Sequence, residues 1–144
     1  MRKLTRPHSK GQALVEFALV VPIFLLLVLG LFDMGRAVLY YSTISNASRE
    51  AVRLGIIDQN TGDVQQEAVD SAGTLMSVAT GDVIVEYLAP DLSAGGPCST
   101  APYEIGCVVR VEVQHTFQPA TPFVGVLNLR AETHQQIERR YTSP

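Results

Sequence analysis

The stretch GQALVEFALVVPIFLLLVLGLF, Gly11 to Phe32, decides how the rest of the chain is read. From Gln12 to Phe32 it carries one ionisable side chain, Glu16. As a helix rising about 1.5 Å per residue it spans roughly 30 Å, the thickness of a bilayer's hydrocarbon core. The segment is expected to enter a membrane. A basic leader holding Arg2, Lys3, Arg6 and Lys10 precedes it, and such a cluster stays in the cytosol while everything after Phe32 crosses. A secretory signal would have a shorter apolar core followed by small residues. Here the flank is Asp33-Met34-Gly35-Arg36, so the apolar helix is expected to be retained.

Downstream, the helical pattern continues from Asp33 to about Leu54, with Ala37, Tyr40, Tyr41, Ile44, Ala47, Ala51 and Leu54 on one stripe. Gly55 suits a helix C-terminus, with Arg49 and Arg53 at the negative end of the dipole. This predicts one helix of about 40 residues, half in lipid and half in water. Pro22 inside it has no N–H for the carbonyl of Ala18, so either a kink is expected or the proline is one of those that membrane helices commonly carry. Asp33 and Arg36, three residues apart, are expected to form a solvated interfacial pair of little energetic weight.

A turn at Asp58–Gly62 leads to a second helix, with Asp63 as N-cap, Gln66 closing a capping box, and Val64, Ala68, Ala72, Leu75, Met76 and Ala79 on the apolar face. Gly73 would weaken it by up to about 1 kcal/mol relative to alanine. Val83–Leu88 reads as a strand from its β-branched run. Ala89–Pro102, rich in proline and glycine, is a loop. Val109, Val111, Val113 and Phe117 alternate with Arg110, Glu112 and Gln114, the pattern of a strand with one wet face. Pro119 and Pro122 end it. Leu127, Leu129, Ala131 and Thr133 alternate in a last strand reaching about Ile137, with helix as the alternative for Ala131–Arg140. The fold class is α+β: a long N-terminal helix, a second short helix and a three- or four-stranded antiparallel sheet.

Four of the eleven basic residues precede Gln12, leaving seven against fourteen acidic ones and a net charge of -7 from Gln12 onward. Nucleic acid is an unsuitable partner for such a surface. The two cysteines, Cys98 and Cys107, are expected to pair in an exported domain, closing a short loop. Free thiols and a zinc site with His115 and His134 are the alternatives, the latter lacking metal-type spacing. His115, in a strand, reads as a surface or half-buried residue. Asn46-Ala47-Ser48 matches a glycosylation acceptor but falls within a helix. No nucleophile elbow, phosphate-binding glycine loop or His-Glu metalloprotease pair occurs. Ser93–Pro97 reads as a plain turn. No enzyme, cofactor, metal or small-molecule substrate is expected.

An ionised carboxylate in lipid costs roughly 3 kcal/mol, so Glu16 either snorkels to the cytosolic face or has a function. A basic leader, Gly11, Gln12, Glu16, Phe17 and an apolar helix together resemble the type IV prepilin processing site. With Pro22, the aliphatic run, Asp33–Arg36 and Asn46–Arg53, the chain resembles the TadE-like family, pilin-like minor subunits of the tight-adherence (Flp) pilus apparatus. The family signature reads Glu-Gly-Ala-Arg, and here it is Glu50-Ala51-Val52-Arg53, without the glycine.

The resemblance implies a pilin-like architecture in three parts: leader 1–11, transmembrane and assembly helix 12–32, extracytoplasmic domain 33–144. It implies cutting by a prepilin peptidase between Gly11 and Gln12, and a new amine on Gln12, commonly methylated in the superfamily, that pairs with Glu16 of a neighbouring subunit. Other pilin-like subunits, the inner-membrane assembly platform and membrane lipid are the implied partners. The bacterial cytoplasmic membrane is the implied location, with the N-terminus inside and incorporation into a pilus to follow. The alternative is an uncut, single-pass anchored binding or scaffold module that does not polymerise.

Overall fold

In the computed structural model, which describes residues 9–73, 76–94 and 98–138, one helix dominates. Helix α1 runs from Ser9 to Ile57, α2 from Thr61 to Ala72, and a short 3-10 turn at Thr80–Asp82 leads into the sheet. Strands β1 (Val83–Leu88), β2 (Val108–Phe117) and β3 (Leu127–Gln136) follow in that order. They form an antiparallel sheet with β2 in the middle. The architecture is the expected α+β arrangement of long helix, short helix and three strands. The leader up to His8, Leu75, Gly95–Pro97 and everything from Arg139 on lie outside the described residues.

The core forms where the C-terminal half of α1 lies on one face of the sheet. Ile44, Ala47, Ala51 and Val52 are fully buried there, in one cluster with Val109, Val111, Val113, Ala131 and Ile137. Valine dominates the strands because its branched side chain fits a pleated, half-covered surface. Small alanines on the helix let the two layers approach. Ser48, on the same buried stripe, would be an orphaned hydroxyl without a partner. It meets the hydroxyl of Thr133 on β3 at 2.8 Å, so the serine of the sequence's glycosylation-type triplet is a core residue.

Helix α1 and β2 run in opposite directions. Tyr40 makes edge-on ring contacts with Phe117 and with half-buried His115 at one end, and Gly55 meets Val109 at the other. The β2–β3 loop therefore returns to the end of the domain nearest Phe32, while the loop between β1 and β2 sits at the far end.

Several boundaries differ from the sequence expectations. Gly55 does not end α1, which continues through it to Ile57. Its role is close approach: a Cβ there would stand 2.9 Å from Cγ2 of Val109, and its carbonyl accepts the hydroxyl of buried Tyr87 at 3.1 Å. Burial, then the neighbouring Tyr103 and Asp58, push that phenol above its ordinary value of 10.0. Arg49 and Arg53 consequently fall short of the last turn.

Helix α2 starts earlier than Asp63. Asn60 is its N-cap, accepting the amide of Gly62 and donating to Asp63. It ends at Gly73, whose positive φ of 65° makes it the cap instead of a weak interior position. Met76, though buried, and exposed Ala79 lie beyond the helix. Pro22 does not interrupt α1, and the segment Ala131–Gln136 is strand, not helix.

The far loop is held by a Cys98–Cys107 disulfide, Cα to Cα 5.8 Å. Both sulfurs are used in it, which removes the zinc alternative. Gln59, just past α1, binds the backbone of Tyr103 in both directions, and the Tyr103 ring stacks on Tyr87 at 3.7 Å.

The outer face of the sheet is not simply wet. Glu112, in the centre of the middle strand, is 2% exposed. It is covered by its own neighbours: Arg130 pairs with it directly, Gln114 donates at 2.6 Å and Arg110 approaches at 3.4 Å. Arg110 also pairs with Glu86 and Glu132 across the flanking strands. Period-two reading places Glu112 on the outer face correctly and misses that long cross-strand side chains exclude water from it.

Candidate functional site

The first turns of α1 carry Gly11, Gln12, Glu16 and Phe17, and all four face solvent. Gln12 and Glu16 are one turn apart on the same side of the helix, and among the described residues Glu16 has no partner. From Gln12 to Phe32 the helix is apolar and bare: Leu19, Ile23, Phe24, Leu27 and Leu31 are all exposed. None of its most apolar window is covered by the domain. A soluble protein rarely exposes contiguous apolar surface beyond a few hundred Å². This half of α1 is long and apolar enough to cross a membrane.

Where the bare half meets the domain, the structure builds a site that the sequence reading undervalued. Asp33, one residue past Phe32, is 6% exposed. Its Oδ1 accepts the Ala120 amide at 2.9 Å, and its Oδ2 accepts the Thr121 amide at 2.8 Å and the Thr121 hydroxyl at 2.6 Å. The Thr121 hydroxyl first, then the Ala120 amide, hold the Asp33 carboxyl below its ordinary value of 3.8. Burial pushes the other way, and the Thr121 amide and Arg36 add to the lowering.

Asp33 therefore ties the β2–β3 loop to the helix across 88 positions of sequence. Its bond to Arg36, at 3.4 Å, is the longest of its contacts. The guanidinium instead lies over the rings of Phe117 and Tyr40, at 5.3 and 5.8 Å, within cation–π range. The expectation of a solvated Asp33–Arg36 pair is thus corrected: the aspartate's main partners are main-chain and hydroxyl donors of a distant loop. The only sequence signal was its place, an acid ending an apolar run.

Beside this clamp lies an apolar groove of about 450 Å³, lined by Gly30, Met34, Val38 and Tyr41 of α1 and by Val124 and Leu127 of the loop and β3. Among the described residues, no group of three or more His, Cys, Asp or Glu is placed to hold a metal ion.

These features define a class: an α+β domain carried on the inner half of a single helix whose outer half is bare, apolar and of membrane-spanning length. The family model described as TadE-like protein matches residues 11–53, so over this N-terminal stretch the chain is similar to TadE-like proteins. Neither curated proteins nor solved structures show a match. The matched stretch begins at Gly11 and ends at Arg53, so it covers the bare half of α1 and most of the half that packs. Within it, Ala51, where the signature has glycine, is fully buried and Val52 beside it likewise. Glu50 and Arg53 pair on the exposed side at 3.3 Å.

Proposed function

We propose that this chain is a minor pilin or pseudopilin of a Tad/Flp-type pilus or secretion apparatus, anchored in the cytoplasmic membrane and assembled through α1. In this reading, residues 1–11 form a leader removed by prepilin peptidase, 12–32 the transmembrane and assembly helix, and 33–144 the extracytoplasmic domain. The observation that carries it is the bare half of α1. Its apolar side chains find no cover in their own domain, so they must be covered by lipid or by the helices of other subunits. Glu16, exposed and unpartnered among the described residues, suits the second situation. Drawn into a bundle, the new amine of Gln12 on one subunit and Glu16 of another offset each other's desolvation. Other pilin-like subunits and the inner-membrane platform are the partners this requires.

One observation favours the rival reading, an uncut anchor bearing a binding or scaffold domain: α1 is continuous from Ser9 through Gly11, so the bond after Gly11 must unwind before it can be cut. Intact-mass and N-terminal analysis from cells with and without the peptidase, with Gly11→Ala as control, separates the two. The expected result is a peptidase-dependent terminus at Gln12, and Glu16→Ala protein that still inserts but no longer co-purifies with partner subunits. A terminus at Met1 in both backgrounds would establish the uncut anchor, and undiminished co-purification of Glu16→Ala would remove the proposed pairing.

A further inference from the structure

We propose that the β2–β3 loop is a second membrane contact, seating its apolar tip in the outer interface of the bilayer that α1 spans. The inference rests on the reading of residues 12–32 as a membrane span. Four observations carry it. First, the loop's place along the membrane normal is set: Asp33, one residue beyond the apolar run, holds Ala120 and Thr121 by three hydrogen bonds. Second, the tip lies beside the end of the span. Val124 and Leu127 share the groove with Gly30, which is inside the apolar run.

Third, the tip is apolar and uncovered. Phe123 is 82% exposed, Val126 58%, Val124 47% and Leu127 45%, and no charged residue occurs from Thr116 to Leu129. Fourth, Met34, Val38 and Tyr41 of α1 extend the same apolar surface past Asp33 on the groove's side. A bilayer interface covers all of these together, because aromatic and aliphatic side chains anchor at that depth next to a span. The carboxylate of Asp33 is satisfied by fixed donors, so it can stay ionised at such a boundary without bulk water. In effect the domain stands on two feet, which fixes its tilt and rotation relative to the membrane.

The chain contains no tryptophan, so a single one reports its own surroundings. The full chain carrying Phe123→Trp, Val126→Trp, Phe24→Trp or Ile105→Trp is reconstituted in phosphatidylethanolamine/phosphatidylglycerol vesicles, with and without brominated acyl chains. Phe24 is in the span, and Ile105 is exposed in the far loop. The expected result is loss of most emission for the two loop variants and for Phe24→Trp, with Ile105→Trp keeping its emission. Quenching of Phe24→Trp without quenching of the loop variants overturns the loop contact and leaves the span. If the loop emission is also shifted to the blue, the cover is a second copy of the chain, not lipid. An unquenched Phe24→Trp overturns the span itself, and the loop contact with it.

Discussion

Asp33 shows how one carboxylate can hold a fold together at a point where secondary structure offers nothing. Residues 118–126 have no sheet partner, and without Asp33 the amide of buried Thr121 would lack its acceptor and that of Ala120 would be left to solvent. Because native bonds to the charged form lower its folded pKa, the stabilisation is fully present above the ordinary value of 3.8 and is lost as pH falls through the depressed folded value. Asp33→Asn is therefore expected to lower the thermal midpoint near neutral pH, and the gap to the parent should be narrower at a second pH well below the ordinary value of 3.8. Thermal unfolding of both proteins in detergent micelles at the two pH values checks this. A gap that does not change with pH would mean that the charge plays no part. Glu112 is the other residue whose weight comes from its surroundings, since its burial depends on Arg110, Gln114 and Arg130 all reaching over it.

At the scale of elements, the division of α1 is the main fact. Its outer half has apolar residues all round and buries none of them at home, while its inner half confines burial to one stripe of small and branched residues. The far loop shows the opposite economy: between β1 and β2 the described residues form no strand or long helix, and a disulfide, the Gln59 clamp and the Tyr87–Tyr103 stack hold the chain. Closing the nine-residue separation contributes roughly 2 to 3 kcal/mol by restricting the unfolded chain. Cys98→Ser with Cys107→Ser should lower stability by about that amount in chemical unfolding. Membrane insertion should be unaffected, because the loop lies at the end of the domain away from Phe32. A double variant that failed to insert would contradict this separation of the two ends.

For the whole molecule, every member of the buried core cluster lies between Ile44 and Ile137, so the domain should not need the bare half of α1 to fold. A chain beginning at Asp33 is expected to fold and to keep the helix-and-sheet circular dichroism of the parent less the missing turns, measured in detergent that covers its apolar β2–β3 tip. Loss of that circular dichroism would show that the domain needs the bare half of α1 to fold.

The division between what was legible in the sequence and what was not follows physical range. The apolar helix of membrane-spanning length, the strands and the two cysteines could be read from the chain itself, because helical and strand periodicities and a 21-residue apolar run are local properties of neighbouring side chains. The run from Gly11 to about Gly55 carried the resemblance to the TadE-like family, and the family model matches residues 11–53 within it. Tertiary structure alone decided that Asp33 is a clamp instead of a surface ion, that Gly55 is a contact point instead of a stop, that Glu112 is buried on an outer face, and that the apolar β2–β3 loop returns to the end of the bare half of α1. Each of these depends on a partner tens of residues away, and burial is a property of what the fold places opposite a residue, which local pattern does not encode.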